Sequence, residues 1–401
     1  MKIIADKQKI ITLLTRAVSN VLVGEHLEKQ LNSGKILRVK FGIDPTAPDI
    51  HLGHTVPLLK LRQFQNLGHQ AVLIIGDFTA KIGDPSGREE ARKPLKDSEI
   101  KKNLKNYLNQ AGKIIDIKKT EVHFNNEWFG KMKAADFYKL AAHMSVQQVL
   151  KRADFRKRIE AGQDIVSTEM LYSLFQGYDS VMVKADVEIG GEDQLLNLLA
   201  GRKIQRAYGK PEQDILTTWI IEGTDGVKKM SKSYGNYIGI TEKPAIMFGK
   251  IMSIPDSLII KYFRALTAVP NFDIDKLENG VKSGKINPRD AKSRLSFEIV
   301  KIYHGEKKAK EAEWEFNEVF QKHELPKKIS EVALKAGEYN IVDLLSAAGM
   351  APSKSEARRL VIGRAVKVGG KLIDDFRKAV KISSGLVVQV GKKRFRKLKI
   401  K

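Results

Sequence analysis

The sequence predicts an α/β fold: a doubly wound parallel sheet, then a helical segment, then a small α+β segment. Three observations point there. Apolar runs at residues 36–43 and 71–75 flank a loop and a helix-patterned stretch at 50–67. Strand, loop, helix and strand in that order form a βαβ unit, and strands covered on both faces are apolar throughout. Next, residues 98–180 and 243–323 carry helical patterning on either side of two strand-like pieces at 180–189 and 214–221. Finally, residues 341–401 hold sixteen Lys and Arg against four Asp and Glu, a net +12, half of the +24 of the whole chain.

Taken in order, residues 1–33 read as helical, on the spacing of Ile11, Leu14, Val18 and Val21, until Asn32-Ser33-Gly34 interrupts them. The strand at 36–43 ends in Asp44-Pro45-Thr46-Ala47-Pro48-Asp49, a loop by its prolines and aspartates. Gly68 stops the following helix. Residues 1–242 then form the sheet domain, with a helical insertion at about 110–180, and 243–323 a separate helical domain. Residues 324–340, with Pro326 and Gly337 among lysines and glutamates, read as a linker to a last domain at 341–401. There are no internal repeats and no low-complexity tract.

Composition narrows the function classes. The 401 residues are 42% hydrophobic and 29% charged, as in soluble globular proteins. With no cysteine, disulfides, thiolate metal sites and cysteine nucleophiles are excluded together, which suits a reducing cytoplasm. The N-terminus has charges through its apolar stretch and no small-residue cleavage site, so no signal peptide is expected. No run approaches the roughly 20 apolar residues of a membrane span. The 71 Lys and Arg against 47 Asp and Glu suit a polyanionic partner, although a lysine-rich proteome gives the same balance.

Two segments carry the chemistry. His51-Leu52-Gly53-His54 follows a strand and a turn and opens a helix. The first N–H groups of a helix lack internal partners and carry partial positive charge, so anions bind there. Gly53 permits close approach to the backbone, and His51 and His54, three apart, share one face of the first turn. Two such histidines suit phosphate oxygens. They also suit a metal, but no further His or Cys nearby completes a site. The other segment, Asp225-Gly226-Val227-Lys228-Lys229-Met230-Ser231-Lys232-Ser233, is a glycine-bearing loop of lysines and serines, suited to closing over a triphosphate.

In this order the two segments resemble the paired nucleotide motifs of class I aminoacyl-tRNA synthetases. Four further stretches resemble the tyrosyl-tRNA synthetase family: residues 41–49, Ile82-Gly83-Asp84-Pro85-Ser86-Gly87, residues 172–179 and Gly190-Gly191-Glu192-Asp193-Gln194. The likeness runs from about residue 36 to the end. It implies a Rossmann-like catalytic domain that forms an aminoacyl-adenylate from L-tyrosine and ATP, then charges tRNA(Tyr), without a covalent enzyme intermediate. Magnesium accompanies ATP, with no dedicated protein cage.

By the same resemblance, His51, His54, Lys229, Lys232 and Ser233 stabilise the reacting phosphates. Gly42, Asp44, Thr46, Gly53, Gly191, Asp193 and Met230 line the ATP site, and Arg88 and Arg92 belong to a basic loop near the pyrophosphate. Asp84, Tyr172, Gln176 and Gln194 surround the tyrosine, Asp179 accepts its phenol hydrogen, and Lys40 lies at the same pocket. Many bacterial members have tyrosine at Lys40, glycine at Asp77 and tryptophan at Leu195. Lys40 and Asp77 end two neighbouring predicted strands, and an ion pair between them beneath the pocket is expected. Residues 341–401 are similar to the RNA-binding domain of the small-subunit ribosomal protein S-four, with Lys354, Arg358 and Arg359 on its basic helix. The resemblance also implies a cytoplasmic homodimer joined through the helical insertion. A tryptophan-specific relative shares the catalytic architecture but usually lacks such a tail. An RNA-binding protein with a disabled catalytic body is disfavoured by the intact His and Lys motifs, and a small-molecule nucleotidylyltransferase by the tail.

Overall fold

The computed structural model describes residues 3–86, 95–321, 329–391 and 394–400, so Arg88 and Arg92 lie outside the described residues. The chain divides into two compact units, Met1–Trp314 and Glu315–Lys401.

In the first unit, six strands form one sheet: β1 (Val18–Leu22), β2 (Arg38–Ile43), β3 (Gln70–Ile75), β4 (Glu121–Phe124), β5 (Val187–Gly191) and β6 (Asp214–Thr218), in the order β1-β6-β5-β2-β3-β4. All neighbours are parallel except β1, which runs antiparallel to β6 at the edge. The inner strands are apolar and buried: Val39, Val72, Leu73, Ile75, Val187, Ile215 and Leu216 are inaccessible to solvent. β2 has β3 on one side and β5 on the other, so the winding reverses there. A ligand crevice opens at such a switch, beyond the carboxyl ends of the strands.

Two strands depart from the sequence reading. β1 falls inside residues 1–33, expected to be helical throughout. The helix Lys7–Thr15 ends there, and Ala17 and Val23, both with left-handed φ (53° and 61°), turn the chain into and out of the strand. β4 falls inside the stretch 98–180. It is four residues long, half-buried throughout, and held by β3 on one side only, so its pattern is too short to stand out. Residues 180–189, read as a strand, divide between the end of the helix Ser167–Met182 and the start of β5.

Beyond the sheet, the helices Pro244–Met252, Ile259–Leu266, Asn271–Lys282 and Pro288–His304 pack through Met247, Phe248, Tyr262, Phe263, Leu295 and Ile299. Arg16, at the end of the first helix, donates to the carbonyls of Phe263, Arg264, Thr267 and Val269, anchoring the N-terminus on this bundle.

The second unit holds β7 (Glu331–Leu334), β8 (Glu338–Asn340), β9 (Val366–Val368), β10 (Lys371–Ile373), β11 (Ala379–Lys381), β12 (Val387–Val390) and β13 (Arg394–Ile400). Its five-stranded sheet runs β10-β9-β12-β13-β7, and β8 pairs with β11. β7 and β8 lie within residues 324–340, read from sequence as a linker. Their short alternating patterns pair with β13 and β11, far away in sequence. Two helices, Ile341–Ala347 and Lys354–Ile362, cover a core that includes Leu344, Leu345, Ala357, Val361 and Val388.

Candidate active site

A cavity of about 280 Å³ opens beyond the carboxyl ends of β2 and β5, where the switch in winding predicts it. It gathers fifteen of the residues picked out from sequence: Gly42, Asp44, Thr46, His51, Gly53, His54, Asp84, Tyr172, Gln176, Asp179, Gly191, Asp193, Gln194, Lys229 and Met230.

One side is the start of the helix Leu52–Asn66. The rings of His51 and His54 stack, with centroids 3.7 Å apart. His51 is buried and its Nδ1 has no partner among the described residues. Burial, then the nearby His54 and Lys232, hold its pKa down at about 2, so the ring is neutral at physiological pH. A Cβ at Gly53 would sit 3.0 Å from His51 Cε1 and 3.1 Å from His51 Nδ1, so a larger residue presses on the histidine ring.

Those segments are tied together by backbone pairing. Leu52 N donates to Ile238 O (2.9 Å) and Ile240 N to Ile50 O (3.0 Å). The chain leaving the lysine loop is thus stitched to the chain entering the histidine helix. Within the loop, Asn236 holds the turn: its Oδ1 accepts from Ser231 N (2.8 Å), and its Nδ2 donates to Asp225, Lys228 and Lys229 oxygens at 3.0–3.2 Å. Lys229 Nζ reaches Asp193 Oδ2 at 3.4 Å, and Lys232 Nζ reaches Asp49 Oδ2 at 3.5 Å. Lys232 and Ser233 flank the cavity without lining it, and Ser233 is exposed. Burial raises the Asp193 pKa, against the pull of Lys229.

The opposite wall is the helix Ser167–Met182. Tyr172, Gln176 and Asp179, spaced four and three apart, all face the cavity. The Tyr172 hydroxyl donates to Asp44 Oδ2 (3.0 Å), and Asp44 Oδ1 accepts from Thr79 Oγ1 (2.7 Å). Gly76 is required here, because a Cβ would stand 2.0 Å from Asp44 Oδ1. Asp84 accepts from Gln194 Nε2 (2.7 Å) and Ser86 N (2.9 Å). Asp179 is buried and accepts from Trp128 Nε1 (2.9 Å) and Asn125 Nδ2 (3.4 Å). Burial raises its pKa to about 7, opposed by Lys40, Trp128 and Asn125 and reinforced by Glu188.

The expected Lys40–Asp77 ion pair is absent. Lys40 pairs in register with Val72 on β3, well short of Asp77, which lies past the strand end and receives Asn126 N (2.9 Å). The partner of Lys40 is Glu188 on β5, 2.8 Å away. Lys40 does not line the cavity, so it makes no direct contact there. Sequence reading also missed Asn125, Trp128, Thr79, Gly76, Asn197, Asn236 and Glu188. The first two follow β4, and finding that short strand would have marked them as strand-end residues.

Among the described residues, no three His, Cys, Asp or Glu side chains group closely enough to hold a metal ion. No helix there is long and apolar enough to cross a membrane. In the second unit, Lys354, Arg358 and Arg359 are exposed on one helix. Lys354 bonds Asp343 (2.7 Å), Arg359 bonds Glu356 (3.1 Å), and the Arg358 guanidinium lies 5.5 Å from the Phe376 ring centroid.

The family described as tRNA synthetases class I (W and Y) matches residues 32–321, and the tyrosine–tRNA ligase SYY-like C-terminal domain matches residues 321–397. Tyrosine–tRNA ligase of Thermotoga maritima is 50% identical over 385 residues, covering 96% of each chain. That of Moorella thermoacetica is 48% identical over 390 residues, covering 96% of this chain and 94% of its own. Among solved structures, a truncated Aspergillus nidulans mitochondrial tyrosyl-tRNA synthetase aligns with TM-score 0.65 and 23% identity, covering 79% of this chain and 95% of its own. The Archaeoglobus fulgidus enzyme complexed with L-tyrosine aligns with TM-score 0.61 and 20% identity, over 77% and 100%. At those identities the structural matches establish the fold alone.

Proposed function

The chain belongs to the tyrosine–tRNA ligases of class I, and we propose that the cavity described above is where it forms tyrosyl-adenylate. It is an ATP-dependent ligase that activates tyrosine and transfers it to tRNA(Tyr). In the first step a carboxylate oxygen of tyrosine attacks the α-phosphorus of ATP, and the bond to the β-phosphate bridging oxygen breaks. Tyrosyl-adenylate and pyrophosphate result. In the second, a terminal ribose hydroxyl of the tRNA attacks the activated carbonyl, and AMP leaves.

Each assigned residue acts by position and charge. Asp179 accepts a hydrogen bond from the phenol hydroxyl of the substrate. An acceptor buried this way is left unsatisfied by phenylalanine, which is therefore refused. Asp84, Tyr172, Gln176 and Gln194 surround the ammonium. Gly42, Asp44, Thr46, Gly191 and Asp193 face the nucleotide. His51, His54 and Gly53 meet the phosphates from the helix start, and Lys229, Met230, Lys232 and Ser233 close from the loop. Arg88 and Arg92 would add positive charge near the pyrophosphate. Magnesium would accompany ATP as part of the substrate and would supply positive charge at the phosphates. The observation that carries this reading is the backbone stitch at Leu52–Ile238, because it keeps both phosphate-binding segments against one cavity.

The basic second unit, with Lys354, Arg358 and Arg359, holds the tRNA, and the helices at 243–323 lie on its anticodon side. The reading includes a cytoplasmic homodimer joined through the insertion at about 110–180. Exchange of pyrophosphate into ATP tests the whole: it must depend on tyrosine, and dependence on tryptophan would overturn it. Truncation after Gln321 is expected to leave exchange intact and weaken tRNA charging. Equal loss of both would contradict the division of labour.

A further inference from the structure

Behind the wall of Tyr172, Gln176 and Asp179 lies a polar cluster that does not line the cavity. Lys40 on β2 and Glu188 on β5 are register partners on adjacent parallel strands, so their side chains leave the same face of the sheet. Both side chains are 0% exposed, and they approach to 2.8 Å. Lys40 Nζ also donates to Gln176 O and to Ser180 Oγ, each at 2.8 Å. Glu188 accepts from Gln176 Nε2 (3.1 Å), from Ser180 Oγ (3.1 Å) and from Gln213 Nε2. A Cβ at Gly201 would fall 2.4 Å from Gln213 Nε2 and 3.0 Å from Glu188 Oε2, so the cluster also fixes what the neighbouring helix Leu195–Ala207 can carry.

Burying either charge alone is strongly unfavourable, and an apolar pair of equal volume is generally at least as stabilising as a buried ion pair. Stability therefore does not explain why charges stand here. The pair gives two things that apolar residues would not. It makes directional bonds to residues 176 and 180, which bracket Asp179 on the helix, and Gln176 is bonded by both its main chain and its side chain. It also bonds Ser180, the residue next to Asp179, from both partners: Lys40 Nζ donates to Ser180 Oγ, and Ser180 Oγ donates to Glu188.

We propose that Lys40 and Glu188 are positioning residues for tyrosine recognition, holding Gln176 and the Asp179 segment in the geometry that reads the substrate's phenol and ammonium. The inference rests on the assignment of Asp179 and Gln176 to the tyrosine site. Lys40→Met/Glu188→Gln removes both charges at nearly constant volume and leaves neither unpaired. In pyrophosphate exchange its KM for tyrosine rises about tenfold, as the loss of one hydrogen bond to a charged group gives. Its KM for ATP stays within about twofold, and its preference for tyrosine over phenylalanine narrows. Ser180→Ala, which keeps the ion pair and removes only its hydroxyl bridge to the helix, carries the same readouts should the double variant not fold. Parallel changes in both KM values, or an unchanged KM for tyrosine and unchanged preference, would overturn the proposal. Asp179→Asn separates the two levels. If it too leaves the tyrosine preference intact, the site assignment fails; if it abolishes the preference while the double variant and Ser180→Ala do not, only the positioning role fails.

Discussion

The helix Ser167–Met182 and the loop at 222–236 face one cavity but are held by different means. The helix wall is fixed from behind. Asp179 takes bonds from Trp128 and Asn125, Gln176 bonds Glu188, and Tyr172 is locked to Asp44. The loop is held at its base, by Asn236, by Met230 N to Ile221 O (2.9 Å) and by Lys261 on Glu222 (2.9 Å), while its phosphate-facing lysines rest on carboxylates at 3.4–3.5 Å, distances of weak ion pairs at a partly open surface. A wall that discriminates between two amino acids must resist relaxing around the wrong one. A loop that stabilises a departing pyrophosphate must release its resting contacts and strengthen new ones as the reaction proceeds.

That contrast fails if the two regions respond alike to mutation. The largest expected effect is in the loop: Lys232→Ala lowers the rate of tyrosine activation about 10²–10³-fold, the scale of losing one transition-state donor. Tyrosine affinity, measured by equilibrium dialysis, stays unchanged, and a matching loss there would erase the distinction. Next, Asp179→Asn lowers kcat/KM for tyrosine about 10–100-fold and leaves that for phenylalanine nearly unchanged. Asn236→Ala frees the loop and lowers kcat about tenfold, the cost of about one buried hydrogen-bonding group, with the tyrosine KM unmoved.

The smallest effect is in pH. Burial raises the Asp179 pKa from 3.8 to about 7, so the empty site takes up a proton as pH falls through about 7. The carboxylate is the better phenol acceptor, hence tyrosine affinity declines a few-fold as pH drops from 8 to about 6. The sign for stability is opposite. The folded chain binds this proton more tightly than the unfolded chain, so the contribution of Asp179 to stability falls as pH rises from about 4 through 7. Asp179→Asn removes both dependences, which affinity and denaturation measured across pH would reveal.

The nucleotide-facing half of the site was legible in the sequence because its residues are contiguous. His51 to His54 open one helix and Lys229 to Ser233 sit in one loop, so local patterning suggests phosphate binding at each, and the resemblance of the pair to a family's motifs completes the assignment. Tyr172, Gln176 and Asp179 were picked out by their resemblance to family positions, and spacings of four and three put them on one helix face. What lay beyond reading depends on register between distant segments. Glu188 is the partner of Lys40 only because β5 lies beside β2 with those two residues level, a pairing across 148 positions that no local pattern contains. β1 and β4 escaped notice because short edge strands lack a long apolar run. β7 and β8 escaped because charged residues punctuate them. In each case pairing with a remote strand, rather than intrinsic pattern, decides the structure.

Tyrosine and the triphosphate are expected to meet in one cavity, with the phenol on the helix wall and the phosphates between the histidine helix and the lysine loop. A crystal structure with a non-hydrolysable tyrosyl-adenylate analogue tests it most directly. The phenol oxygen is expected within hydrogen-bonding distance of Asp179, and the phosphate mimic between His51-His54 and Lys229-Lys232. A phenol turned away from Asp179, or an adenylate group bound outside these two segments, would contradict it.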